Sequence, residues 1–267
     1  MKKILLGAML LTGTSLFAQD SAKTETPKPN PFSFSGYVEA FYQYDFNKPT
    51  DNNRPGFIYS HNRHNEFNLN LGFLKGSYNA ERVRANLAIA AGTYMNANYA
   101  AETGVLKNVY EANAGLKISK KKNLWIDAGI FSSHIGFESA VSKDCWTLTR
   151  SILADNSPYF ESGVKLTYTS DNNKWVVSGL VLNGWQRIKR VDANSLMSYG
   201  TQLQYKPNSN ITLNYSTFIG TDKPDSARLW RYFHNVYGVI NVTGKFGITA
   251  GFDIGSEQKT KGSNDFN

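Results

Sequence analysis

The sequence holds a single cysteine, Cys145, among its 267 residues, so it can form no internal disulfide and no cysteine-based metal site. It also lacks any uninterrupted apolar run of roughly 18 residues or more, which excludes a helical membrane protein. Charge is sparse: Asp, Glu, Lys and Arg make up 19% of the chain, while 13% of it is aromatic. Disordered segments show the reverse balance, so the chain is an ordered one, rich in Phe and Tyr.

The N-terminus carries an address. Met1-Lys2-Lys3 is a basic start, residues 4–16 bear no charge, and Ser15 to Ala18 ends on a small side chain before Gln19-Asp20. This pattern is that of a secretory signal peptide over 1–18, cleaved after Ala18. Its removal leaves 27 basic against 21 acidic residues. Residues 19–32 are polar and proline-bearing and read as a periplasmic linker.

From Ser33 to the last residue the dominant signal is alternation. In 33–46, Phe34, Val38, Ala40, Tyr42, Tyr44 and Phe46 alternate with Ser33, Ser35, Glu39, Gln43 and Asp45, the period of a strand with one apolar face. The same period recurs over 67–73, 83–89, 112–118, 124–130, 164–168, 175–182, 199–205, 211–219, 232–242 and 246–254, giving eleven candidate strands. Their connections alternate in length. Short ones rich in turn formers (79–81, 119–123, 170–173, 207–210, 243–245) follow the even strands; long ones (47–65, 92–107, 132–159, 183–196, 220–230) follow the odd strands. Tight periplasmic turns and long extracellular loops characterise outer-membrane barrels.

A soluble sandwich or lipocalin-like barrel would also alternate. Three features favour the membrane: segments long enough to cross a bilayer at a tilt, charges deep on the polar face, which a packed core would reject, and aromatics recurring at strand ends. The last are Phe34, Phe46, Phe67, Tyr78, Trp125, Phe131, Tyr159, Trp175, Trp185 and Tyr232, read as interfacial girdles. The expected fold is thus all-β, a transmembrane antiparallel up-and-down β-barrel over 33–267.

Mid-strand polar positions then face a wet lumen. Glu39, Glu111, Asp127 and Asp253 stand there against Arg82, Arg84, Lys117 and Lys165, a balanced wall. The excess positive charge falls in turns and loops, at Lys120 to Lys122, Arg150, Arg187, Lys189, Arg190, Arg228 and Arg231. Rim charge of this kind steers anions or meets anionic lipid headgroups. The third long loop runs to about 28 residues, beyond the usual length of a structureless connection. It carries His134, Glu138, Lys143, Asp144, Arg150 and Asp155, candidates for a constriction whose opposed charges set a transverse field. An exposed surface loop is the competing expectation.

Other site signals are weak. His61 and His64 have a His-x-x-His spacing without further convergent ligands, so solvated loop residues are expected there. Cys145 has no ordered His/Asn arrangement, and no spacing pairs Ser151 or Ser162 with His134 as a hydrolase. No enzymatic activity, cofactor, metal or nucleic-acid binding is expected.

Between Ile126 and Trp185 the residues Asp127 to Phe131 (DAGIF), His134 to Glu138 (HIGFE), Thr149-Arg150-Ser151, Ser157 to Tyr168 (SPYFESGVKLTY) and Leu182 to Trp185 (LNGW) follow one another in a fixed order. In this block the chain resembles the OmpL-like outer-membrane β-barrel porins (porin-2 type), differing where Leu148 stands in place of the family's usual aromatic. The resemblance implies a channel for passive diffusion of small hydrophilic solutes and ions, with outer-membrane lipids as surroundings and a homo-oligomer, such as a trimer, as a possible assembly. A substrate-specific channel and a structural or adhesive barrel are the alternatives. Because bacterial single-chain barrels have even strand numbers, eleven strands also lead to the expectation that the chain is incomplete at its C-terminus.

Overall fold

A computed structural model describes residues 30–267. The signal peptide and residues 19–29 of the linker lie outside the described residues. One antiparallel sheet holds all eleven strands in chain order: β1 (Phe32–Tyr42), β2 (Phe67–Asn79), β3 (Val83–Ala91), β4 (Val109–Lys117), β5 (Asn123–Ser132), β6 (Phe160–Thr169), β7 (Trp175–Leu182), β8 (Ser198–Asn208), β9 (Ile211–Gly220), β10 (Arg231–Asn241) and β11 (Gly247–Glu257). Strand order equal to chain order is the up-and-down topology expected. The sheet does not close on itself; β1 and β11 form its two edges. No helix among the described residues is long and apolar enough to cross a membrane.

Each strand shows two faces. Along β8, Tyr199 and Leu203 are exposed while Gly200, Gln202 and Gln204 turn the other way. Register carries one face through the sheet: Arg84, Gly115, Asp127, Lys165, Leu180, Gly200, Phe218 and Phe233 stand side by side on eight neighbouring strands. The opposite face exposes a band of large apolar side chains, among them Leu87, Leu116, Val164, Leu203, Val236 and Phe252. An apolar surface of that extent, unmatched by protein, is what lipid requires.

The sheet is rolled around the polar face. Flat, β1 and β10 would stand about 43 Å apart at roughly 4.8 Å per strand. Yet the Gly136 N–H donates to Asn235 on β10 at 3.2 Å, while Ala140 and Val141 belong to a cluster against which Tyr37 of β1 packs. Five residues span at most about 18 Å, so only a curled sheet lets so short a segment reach both. Paired glycines help the bend: Gly129 and Gly163 are register partners with φ of 124° and 156°. A Cβ there would lie 2.1 Å from the Ala112 carbonyl oxygen and 2.0 Å from that of Val181.

Several expectations need correction. Strand β1 stops at Tyr42, not at residue 46, because Asp45 starts a turn: its Oδ1 accepts from Asn47 N–H at 2.9 Å and Lys48 takes φ 50°. In β2 the apparent apolar set 67–73 is divided by a bulge. Ala40 pairs with Leu69 but Glu39 with Leu71, so Asn70 is the extra residue and the parity flips. Phe67 stays on the outer face, whereas Leu71 is fully buried on the inner one. Four of the expected girdle aromatics are not lipid-facing either. Phe131 is buried, Trp125 lies under the Arg84 guanidinium at 4.3 Å, Tyr159 meets Tyr94 edge to face, and Trp185 packs on Phe218 and Phe233.

The long connections gather at one end of the sheet as loop 1 (43–66), loop 2 (92–108), loop 3 (133–159), loop 4 (183–197) and loop 5 (221–230). Loop 2 holds a short helix, α1 (Thr93–Asn98), and loop 3 a single turn, α2 (Ile152–Asp155). Their apolar side chains complete the inner core at that end. Tyr94 and Met95 of α1 join Leu71, Ala90, Ile130 and Phe160 in one cluster, with Tyr99 stacked on Phe160 at 3.9 Å.

Candidate functional site

Loop 3 occupies the curl of the sheet. It leaves β5 through His134, whose imidazole is buried: Nδ1 meets Glu161 Oε2 at 2.7 Å and Nε2 donates to the Thr217 carbonyl of β9 at 2.8 Å. The His134 carbonyl accepts from Ser216 Oγ at 2.7 Å and Gln202 Nε2 at 3.2 Å. Gly200 leaves the room for the ring, since a Cβ there would sit 2.6 Å from His134 Nε2. Burial alone would lower the His134 pKa; the Glu161 carboxylate and the Thr217 carbonyl outweigh it and hold it above the ordinary histidine value.

Past Gly136 the loop crosses toward β10 and β11. Phe137 contacts Tyr237 at 5.6 Å between ring centroids, and Trp146 lies against Gly247. The loop is held to itself by two charged residues. Arg150 is buried and donates to the carbonyls of Ser139 (2.6 Å), Leu148 (2.9 Å) and Ala140 (3.2 Å) and to Ser142 Oγ (3.0 Å). Glu138 accepts from the Ser151 N–H at 2.9 Å and from its hydroxyl, and Ser151 in turn caps α2. Asp155 accepts from the Tyr159 hydroxyl at 3.3 Å, and burial lifts its carboxyl above the usual range. Lys143 and Asp144 are exposed. The six residues expected to act together thus divide: His134 ties the loop to β6 and β9, Glu138, Arg150 and Asp155 bind the loop's own fold, and Lys143 and Asp144 offer charge to solvent.

On the strands the wall combines two ion pairs with charges held by neutral groups. Arg84 grips Asp127 with two hydrogen bonds of 2.6 and 2.5 Å, a fork geometry suited to guanidinium and carboxylate. Glu111 takes Lys75 at 2.5 Å. Lys165, beside Asp127 in register, lies over the Phe131 ring at 4.5 Å. Asp253 accepts from Asn235 Nδ2 at 2.6 Å, and Lys117 ends β4 opposite Trp125. Arg82 departs from expectation: it sits in the turn before β3, donating to the Lys117 carbonyl at 3.2 Å, because the chain reverses over 80–82 and pairing resumes only at Val83. Arg231, taken as a rim residue, opens β10 and bridges Asp222 (3.4 Å) and Glu257 (3.2 Å).

Glu39 on β1 meets His61 Nε2 at 2.6 Å, and Asn70 donates to its other oxygen at 3.3 Å. His61 and His64 are therefore not solvated; they are 1% and 5% exposed, because loop 1 folds back over β1 and β2. The two imidazoles go to different partners, His64 Nδ1 accepting from the Asp45 N–H at 2.8 Å. Burial, with the nearby Arg150 and Arg54 cations, draws the His61 pKa below the ordinary histidine value despite Glu39. Glu161, Lys75 and Asn70 escaped the sequence reading. Glu161 shares the parity of Lys165, the signal that would have found it; Asn70 lies at the bulge, where parity fails.

A rolled, sequentially ordered sheet with an apolar exterior, a polar and charge-paired interior and an inward-folded third loop defines a membrane β-barrel protein of the porin class. The chain belongs to the OmpL-like, beta-barrel porin-2 family, whose model matches residues 31–267. No curated protein matches it, and no solved structure does.

Proposed function

We propose that the protein forms an outer-membrane channel for passive diffusion of small hydrophilic solutes and ions, with loop 3 as its constriction. The observation that carries this reading is the course of loop 3 across the inner face, from the His134–Glu161 pair to the neighbourhoods of β1, β10 and β11. A loop held there narrows whatever passage the strands enclose, and exposed Lys143 and Asp144 set the field in it. The paired wall charges leave little net charge along the strands, consistent with weak ion preference. On this reading residues 1–18 export the chain, outer-membrane lipids bathe the apolar face, and there is no catalytic step. A trimer is the assembly in keeping with the class.

The test is reconstitution in planar bilayers, with and without deletion of residues 140–147. Stepwise conductance that rises in the deletion variant is expected. Equal conductance and ion preference in the two proteins removes the constriction, and a folded but silent barrel favours an adhesive or structural role. A second reading, a substrate-specific channel, is favoured by the way loops 2 to 5 knit across the long-loop end: Gln186 of loop 4 bonds Asn98 of loop 2 (3.1 Å) and Tyr159 of loop 3 (2.7 Å), and Trp185 N–H bonds Asp222 of loop 5 (3.1 Å).

A further inference from the structure

Two hollows of about 380 and 370 Å³ open at the knot of loops, and both are lined by Trp185 and Asn156. The larger also holds Asp155, Gln186 and Arg187. Its volume falls at the lower end of the roughly 300–1,000 Å³ of small-molecule sites. It is built rigidly. Gly184 has φ 155° and Gln186 φ 54°, and a Cβ at Gly184 would lie 2.4 Å from Asp222 Oδ1, so the bend that presents Trp185 is braced from behind. Phe218 and Phe233 fix the indole from its sides at 5.0 and 4.8 Å.

The polar groups around this hollow are unequal. Most arginines of the long loops are engaged: Arg63 binds Glu66, Arg150 binds carbonyls, Arg190 meets the Met197 sulfur and Arg228 binds Asp225, while Arg54 lies 3.9 Å from Asp45 with its Nε and Nη1 buried and without a hydrogen bond. Arg187, which lines the hollow, makes neither a hydrogen bond nor an ion pair with the described residues. Asp222, whose carboxylate feels the Arg187 charge, is already taken by the Trp185 N–H and by Arg231. Asp155, the acid in the hollow, receives the Tyr159 hydroxyl. The hollow therefore sets Arg187 beside Trp185, one face of whose indole carries the Arg231 guanidinium at 5.4 Å and whose remaining surface lines the hollow. A guanidinium matches a carboxylate with two parallel hydrogen bonds, and an indole accepts the apolar side of a carbon skeleton.

We propose that Arg187 and Trp185 form a binding subsite at the mouth of the channel for a small organic carboxylate, the acid group on Arg187 and the carbon frame against Trp185. The assignment deepens the channel reading and rests on it for its role in uptake, though not for binding itself.

The experiment uses the full chain in detergent, with D-glucuronate as probe and D-glucose as its uncharged counterpart, binding being read by titration calorimetry. Heat-modifiable mobility verifies that each variant is folded. Saturable glucuronate binding, weakened about tenfold or more by Arg187→Gln and by Trp185→Ala, with glucose not bound over the same range, is expected. Arg187→Gln removes no hydrogen bond or ion pair among the described residues and keeps the stem that packs beside Gly184, so it keeps the test valid if Trp185→Ala fails to fold. Absence of saturable glucuronate binding, equal binding of glucose, indifference to Arg187→Gln, or full displacement by equimolar chloride overturns the subsite. Conductance is measured separately on the same preparations: a protein that conducts without binding loses the subsite alone, and one that binds without conducting loses the channel reading alone.

Discussion

Two histidines, one in each half of the curled sheet, are buried against a glutamate at nearly the same distance, yet their protons behave in opposite ways. His61 meets Glu39 at 2.6 Å and His134 meets Glu161 at 2.7 Å. The difference lies at the second ring nitrogen and in the surrounding charge. His134 Nε2 has the Thr217 carbonyl to donate to, so both nitrogens have use for a proton, and against burial and the Lys165 charge the raised value prevails. His61 Nδ1 is buried without a partner, and Arg150 and Arg54 both face it. The first environment favours the protonated ring at the root of loop 3; the second favours the neutral ring beneath loop 1. Carboxylate proximity does not decide ionisation when the other side of the ring is unlike.

The largest effect that sharpens this contrast comes from removing each glutamate. Glu161→Gln breaks a pair in which both side chains are at most 1% exposed, so that His134 must give up its proton or keep it without a counterion, and a loss of about 3–5 kcal/mol is expected in urea unfolding from lipid vesicles, as for other buried pairs broken on one side. Glu39→Gln removes a hydrogen bond from a neutral ring and is expected to cost about 1–3 kcal/mol. Equal losses would break the distinction. Gly200→Ala comes next: its methyl would meet the His134 ring, and about 1–3 kcal/mol of overpacking is expected. That loss should shrink when His134→Ala is made in the same chain, as a double-mutant cycle will show.

The smallest effect is the pH dependence, which the two sites bend in opposite directions. With its folded pKa raised, His134 contributes stability that is full below the unfolded histidine value of about 6.5 and is lost as pH rises through the folded one. With its folded pKa lowered, His61 contributes nothing adverse above about 6.5 and costs stability as pH falls toward its folded value. Unfolding midpoints measured from pH 5 to 9 should lose their alkaline decline in His134→Gln and part of their acid decline in His61→Gln. The same limb lost in both variants would contradict the assignment.

These pairs also mark how far the residues could be read without coordinates. Alternation identified all eleven strands because lipid on one side and water on the other force a period of two, and the short turns placed the reversals. It failed at β2, where the extra Asn70 moves Leu71 to the inner face, and at Arg82, one residue outside its strand. Length alone drew attention to loop 3, but its destinations were invisible: Gly136 meets Asn235, 99 positions away, and nothing local encodes that. His61 was dismissed as solvated for the same reason, its partner Glu39 lying 22 residues earlier across a folded loop. Aromatics misled because Trp, Tyr and Phe serve an inner core as well as a lipid girdle, and Phe131 and Trp185 took the first role.

If loop 3 stands in the path of permeating ions, as proposed, the chain's one thiol offers a direct test. Cys145 is half-buried in a hollow with Phe137 and Trp146 of the loop and Val239 and Thr249 of β10 and β11, and burial raises its pKa, so labelling belongs at alkaline pH. Single-channel current is recorded before and after a bulky charged methanethiosulfonate is added, with Cys145→Ser as control and mass spectrometry to verify modification. A stepwise fall in current in the native protein, absent from the control, is predicted. Complete modification with unchanged current would place loop 3 outside the conducting path and contradict the account.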